Sequence, residues 1–128
     1  MRRGLQIVLA ILSLIPLTFA VLGLANGASY HMPDGGYPAS LDNQLRYLSG
    51  VYLLVAFLIW YAIPKIERHG RLLTFICVAL VIGGLGRLLS HFTIGPAQPA
   101  QVAGMILELG SPLLLIWHAA VARSSNAD

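Results

Sequence analysis

The chain has 128 residues, a length suited to one domain. It is 57% hydrophobic and 10% charged, with a mean hydropathy of +0.76, whereas an ordinary soluble domain carries about 25% charged residues. These values exclude an ordinary soluble domain, which would expose apolar surface and associate, and they point to an integral membrane protein.

Four segments have the roughly 20 mostly apolar residues that a membrane-spanning helix needs. The first runs from about Leu5 to Ala25, and the second from about Leu45 to Ile63, where Pro64 stops it. The third runs from about Leu72 to Phe92, and the fourth from about Gln101 to Ala122. In lipid such runs are expected to be helical, because every backbone polar group must be satisfied internally.

Orientation follows from Lys and Arg in the short connections, which favour the cytoplasmic side. Arg2 and Arg3 precede the first span, Lys65, Arg68 and Arg71 lie between the second and third, and Arg123 follows the fourth. Both termini and the 64–71 turn are therefore expected inside, with the 26–44 loop and the TIGPAQPA turn outside. Basic residues at membrane edges account for the formal charge of +3, so no nucleic-acid partner is expected. A rival reading makes the first segment a cleaved signal peptide, with Arg2 and Arg3 as its basic start. Its apolar run exceeds the about 7–15 residues of a signal core.

The loop NGASYHMPDGGYPASLDNQ at 26–44 is rich in turn residues and is the longest connection. The other two connections are short, which favours antiparallel neighbours. The expected fold is all-α: an integral membrane four-helix bundle, up-down-up-down, with N and C termini inside. The single cysteine, Cys77, allows no internal disulfide and no cysteine metal cluster.

Membrane helices pack through small residues and a few polar ones. The first span places Gln6, Ser13, Ala20 and Gly27 at heptad spacing. The second opens with Asp42, Arg46, Ser49 and Gly50. The third carries Gly83, Gly84, Arg87 and His91 on one face, and the fourth Gln101, Gly104, Glu108, Ser111 and Leu115. These stripes are expected to face the bundle interior.

Arg87 and Glu108 are the most informative residues, because a charge in a bilayer costs roughly 2.5–3.5 kcal/mol on insertion scales. Arg87 lies about five residues before the outer end of its span, and Glu108 about seven after the outer end of its own. At about 1.5 Å per residue both sit about 7–11 Å below the outer edge, so they are expected to meet. Arg46 faces the same layer. Asp42 is expected to cap the second helix and to pair with Arg46 at i,i+4, and His91 lies one turn outward of Arg87. The candidate site is thus an outward-half polar layer of Asp42, Asn43, Arg46, Arg87, His91 and Glu108.

Three stretches carry a family resemblance: LDNQLRYLSGVYL at 41–53, GGLGRLLS at 83–90 and LELGSPLLLIW at 107–117. On them the chain resembles a small bacterial four-helix membrane protein family, a domain of unknown function. The architecture is also similar, distantly, to DoxX-type four-helix proteins. The resemblance implies the fold and a bacterial inner membrane. It draws attention to Asp42, Asn43, Arg46, Arg87 and Glu108 and carries no activity.

Three functions compete. In the first, an outward polar pocket binds a small anionic or lipid-like ligand through Arg46 and Arg87, and because Arg87 and Glu108 neutralise each other Arg46 is the one expected to meet it. In the second, Arg87–Glu108 is an internal staple in an accessory subunit of a membrane complex. In the third, Glu108 and His91 act as acid and base on a membrane-dissolved substrate. Expected partners are membrane lipids and either further copies of the chain or a larger membrane complex. No cofactor and no metal are expected. The histidines His31, His69, His91 and His118 make no ligand pattern, although His31, Asp34 and His91 leave one arrangement open. Nucleotide-binding, P-loop and nucleophile-elbow motifs are absent.

Overall fold

Each apolar segment becomes a helix that runs beyond its oily core. The computed structural model describes residues 1–126. Helix α1 spans Arg2–Asn26 and ends in a 3₁₀ turn, Gly27–Tyr30. Helix α2 spans Ala39–Ala62, followed by a second 3₁₀ turn, Ile63–Arg68. Helix α3 spans Gly70–Thr93, α4 Pro99–Gly110 and α5 Pro112–Ser125. Among the described residues there is no strand. Four helical stretches are long and apolar enough to cross a bilayer, with α4 and α5 together forming the fourth.

Two features depart from the sequence expectation. Helix α2 starts at Ala39, so Asp42 and Asn43 lie inside it. Its N-cap position is Pro38, in an extended conformation and without a side-chain hydrogen bond. Asp42 therefore does not cap α2, although its carboxylate sits in the first turn, where a helix favours negative charge. The fourth span is also interrupted. Pro112 has no N–H to give the Glu108 carbonyl, and the Ser111 N–H bonds to that carbonyl instead, at 3.3 Å. Pro112 then opens α5 at a position that suits proline.

The chain divides into two compact units, Gln6–Pro64 and Met1–Leu5 with Lys65–Asp128. In the first, α1 and α2 run antiparallel. Gln6 Nε2 donates to the Ile63 carbonyl at 2.7 Å, Trp60 Nε1 donates to Ser13 Oγ at 2.8 Å, and Gly23 lies against Ser49. In the second, α3 runs antiparallel to α4 and α5. Gly84 lies against Glu108 and Leu109, Cys77 against Ser111, and Gly70 against His118. His118 Nε2 is 2.8 Å from the Ile66 carbonyl and holds the 3₁₀ turn to α5. The outer face of α3 presents Phe75, Val78, Ile82, Leu85, Leu89 and Phe92, all exposed and three or four residues apart. That continuous apolar stripe is what a lipid-facing helix needs.

Candidate functional site

Asp42 and Arg46 bind the end of α1. Helix α1 leaves its last carbonyls without intrahelical donors. Arg46 Nη1 donates to the Leu24 carbonyl at 2.6 Å and to that of Ala25 at 3.1 Å, while its Nε donates to Asp42 Oδ2 at 2.8 Å. Asp42 Oδ1 accepts the Ala28 N–H at 2.8 Å and anchors the 3₁₀ turn. A cation at a helix C-terminus also complements the helix dipole. Gly27 makes the approach feasible: its φ of +56° is left-handed, and a Cβ there would collide with the Asp42 and Arg46 side chains.

Arg87 and Glu108 meet in the other unit. Arg87 Nε lies 3.0 Å from Glu108 Oε2, with side-chain exposures of 42% and 10%. The carboxylate oxygen has the charge beside it but no hydrogen bond of good alignment. The close packing of α3 on α4 brings the two together. One turn below Arg87, a Cβ on Gly84 would stand 3.0 Å from Leu109 Cγ and Cδ2, and 3.2 Å from Glu108 Cβ. On the far side of Glu108 the proline break lets Ser111 face Cys77. Ser111 Oγ donates to the Cys77 carbonyl and Cys77 Sγ to the Ser111 carbonyl, each at 3.5 Å.

The remaining candidates have other contacts. His91 Nδ1 accepts the Ala97 N–H at 3.1 Å and so ties α3 to the turn before α4. Asn43 is exposed on α2. Asp42, Asn43 and Arg46 belong to one unit, and Arg87, His91 and Glu108 to the other. Among the described residues no three His, Cys, Asp or Glu side chains gather as a metal site.

Two cavities lie away from these charges. One, of about 280 Å³, is lined by Cys77, Val78, Val81, Ile82, Pro112 and Leu115, and is apolar. The other, of about 320 Å³, is polar and lined by Arg2, Glu67, Arg68, Ala122, Ser125 and Asn126. Sequence reasoning did not single out this second group. Its one signal is Glu67, the only acid in the basic turn KIERHGR at 65–71.

Helices of this length and composition, with charges paired inside their apolar runs, define a multi-pass membrane protein. Within that class the chain belongs to the family described as domain of unknown function (DUF4345), which matches residues 4–119. No curated protein and no solved structure matches it.

Proposed function

We propose that the protein resides in a bacterial inner membrane, with both termini cytoplasmic, and binds a small anionic or lipid-like ligand at Arg87. The reading rests on a contrast between two arginines. Arg46 spends Nε and Nη1 on Asp42, Leu24 and Ala25, and acts as a clamp on α1. The two side chains are equally open, at 43% for Arg46 and 42% for Arg87, but among the described residues Arg87 spends only Nε, on Glu108. Its terminal N–H groups are left to grip a phosphate, carboxylate or carbonyl oxygen, which a guanidinium does in paired fashion. Glu108 offsets the cost of holding a cation within an apolar run. The ligand site therefore centres on Arg87, with Glu108 as its counter-ion. Acid–base chemistry has less in its favour, because Glu108 faces Arg87 and His91 Nδ1 is engaged by Ala97.

The accessory-subunit reading draws on the same exposure, with a partner helix covering Arg87. A charge swap separates the two. Arg87→Glu combined with Glu108→Arg preserves the ion pair and removes the cation from α3. Under the proposal the double variant regains wild-type thermal stability but not the co-purifying ligand. Recovery of both would leave the pair as a staple only.

A further inference from the structure

We propose that the polar cavity lined by Arg2, Glu67, Arg68, Ser125 and Asn126 binds the headgroup of a polyol anionic phospholipid, phosphatidylglycerol being the simplest. The site is independent of Arg87. It lies where apolar helices end: the first turn of α1, the 3₁₀ turn Ile63–Arg68 and the last turn of α5 all border it. A phospholipid headgroup sits at that level of a bilayer. The volume of about 320 Å³ is near the lower limit of small-molecule pockets, about 300–1,000 Å³, and suits a headgroup rather than a whole lipid.

The chemistry of the lining is two-sided. Arg68 is exposed and supplies N–H groups to a phosphate, and Arg2, 49% exposed, adds positive charge to the same wall. Basic pockets at the ends of membrane helices hold lipid phosphates by this means. Glu67 would repel a phosphate, yet it stands in the same wall with Arg2 Nε 3.1 Å from its Oε2. That oxygen is buried and receives no hydrogen bond of good alignment. The Glu67 side chain as a whole keeps 21% exposure and lines the cavity, so its carboxylate can accept from a donor placed there. Ser125 Oγ already donates to the Val121 carbonyl at 3.1 Å, which leaves it able to accept as well. A ligand that carries a phosphate and, a few atoms away, hydroxyl donors satisfies both halves. Phosphatidylglycerol has this pattern. Phosphatidic acid lacks the hydroxyls, and phosphatidylcholine has a cation in their place.

The test is native mass spectrometry of the full chain in detergent, titrated with phosphatidylglycerol, phosphatidic acid and phosphatidylcholine, and separately with glycerol 1-phosphate. Variants are Arg68→Gln, Glu67→Gln and, as a basic residue outside the cavity, Arg71→Gln. The expected results are preferential retention of phosphatidylglycerol, a loss of at least tenfold in Arg68→Gln, and no more than a twofold loss in Arg71→Gln. Glu67→Gln, which keeps only an uncharged and weaker acceptor, should reduce the preference for phosphatidylglycerol over phosphatidic acid at least threefold while phosphate binding persists. Circular dichroism confirms that each variant is folded. Equal losses in Arg68→Gln and Arg71→Gln would reduce the effect to general surface charge and overturn the site. Binding of glycerol 1-phosphate as tight as that of the lipid would overturn the lipid as its source.

Discussion

The Arg46 guanidinium bridges Asp42, one turn back on its own helix, and the Leu24 and Ala25 carbonyls at the end of α1. A charge that reads in the sequence as stranded near a membrane edge is therefore used up in closing a helix. A helix leaves its last carbonyls without intrahelical donors, and here one guanidinium supplies two of them. The same bridge fixes the 3₁₀ turn through Ala28, so the geometry of the loop start depends on Asp42 as well.

Loss of the clamp should be visible at the Ala28 amide. Arg46→Gln is expected to destabilise the protein by about 1 kcal/mol, the scale of lost hydrogen bonds and dipole complement at a partly exposed site. Asp42→Ala should release the Ala28 N–H and Arg46 together and accelerate hydrogen exchange at Ala28, while Asp42→Asn, which keeps an acceptor, should do so less. Exchange at Ala28 measured by NMR in micelles checks both.

Glycines on α3 should divide sharply. A Cβ at Gly84 would press on Leu109 and Glu108, whereas Gly83 and Gly86 have nothing within 4 Å. Gly84→Val is expected to cost about 1–3 kcal/mol by overpacking and to separate Arg87 from Glu108. Gly83→Ala should be neutral, or stabilising by up to about 1 kcal/mol through helix propensity. Thermal unfolding of the two single variants distinguishes these outcomes.

Arg87 should be harder to lose than its partner. Glu108 is nearly buried, whereas Arg87 keeps contact with its surroundings. Glu108→Ala leaves a half-open cation without its counter-charge and is expected to cost about 1 kcal/mol. Arg87→Ala strands the nearly buried carboxylate and is expected to cost about 2–3 kcal/mol, toward the figure for a fully buried pair. Unfolding midpoints of both variants test the asymmetry.

Cys77 should be inert in the folded protein. It is 1% exposed and shares hydrogen bonds with Ser111 across the α3–α5 contact. Labelling by a bilayer-permeant maleimide should be at least tenfold slower than in the unfolded chain. Pro112→Ala, which lets a continuous helix re-form and re-aims Ser111, should speed it. Mass-spectrometric time courses give both rates.

Most of the helical content was legible because apolar length is a strong signal, and lipid permits little besides helix at such runs. The Arg87–Glu108 encounter was readable from depth arithmetic on two spans joined by a short turn. The start of α2 was not, because the turn-rich composition of 26–44 masks a helix that begins directly after Pro38. The role of Arg46 was hidden for a different reason. Its main partners are backbone carbonyls 21 and 22 residues away, and carbonyls leave no mark in a sequence. Pro112 is visible in LELGSP, but the apolar run around it masks the break, although a proline inside a helix frees the carbonyl four residues back. The polar cavity escaped notice because its members come from both ends of the chain and from the middle turn.

The most direct test of the division between Arg87 and Arg46 is native mass spectrometry with lipid and small-molecule analysis of the purified full chain, comparing wild type, Arg87→Gln and Arg46→Gln. The account predicts a retained ligand in wild type, its loss by tenfold or more in Arg87→Gln with helical content unchanged, and its retention in folded Arg46→Gln. Equal retention in wild type and Arg87→Gln, or loss only in Arg46→Gln, would contradict it.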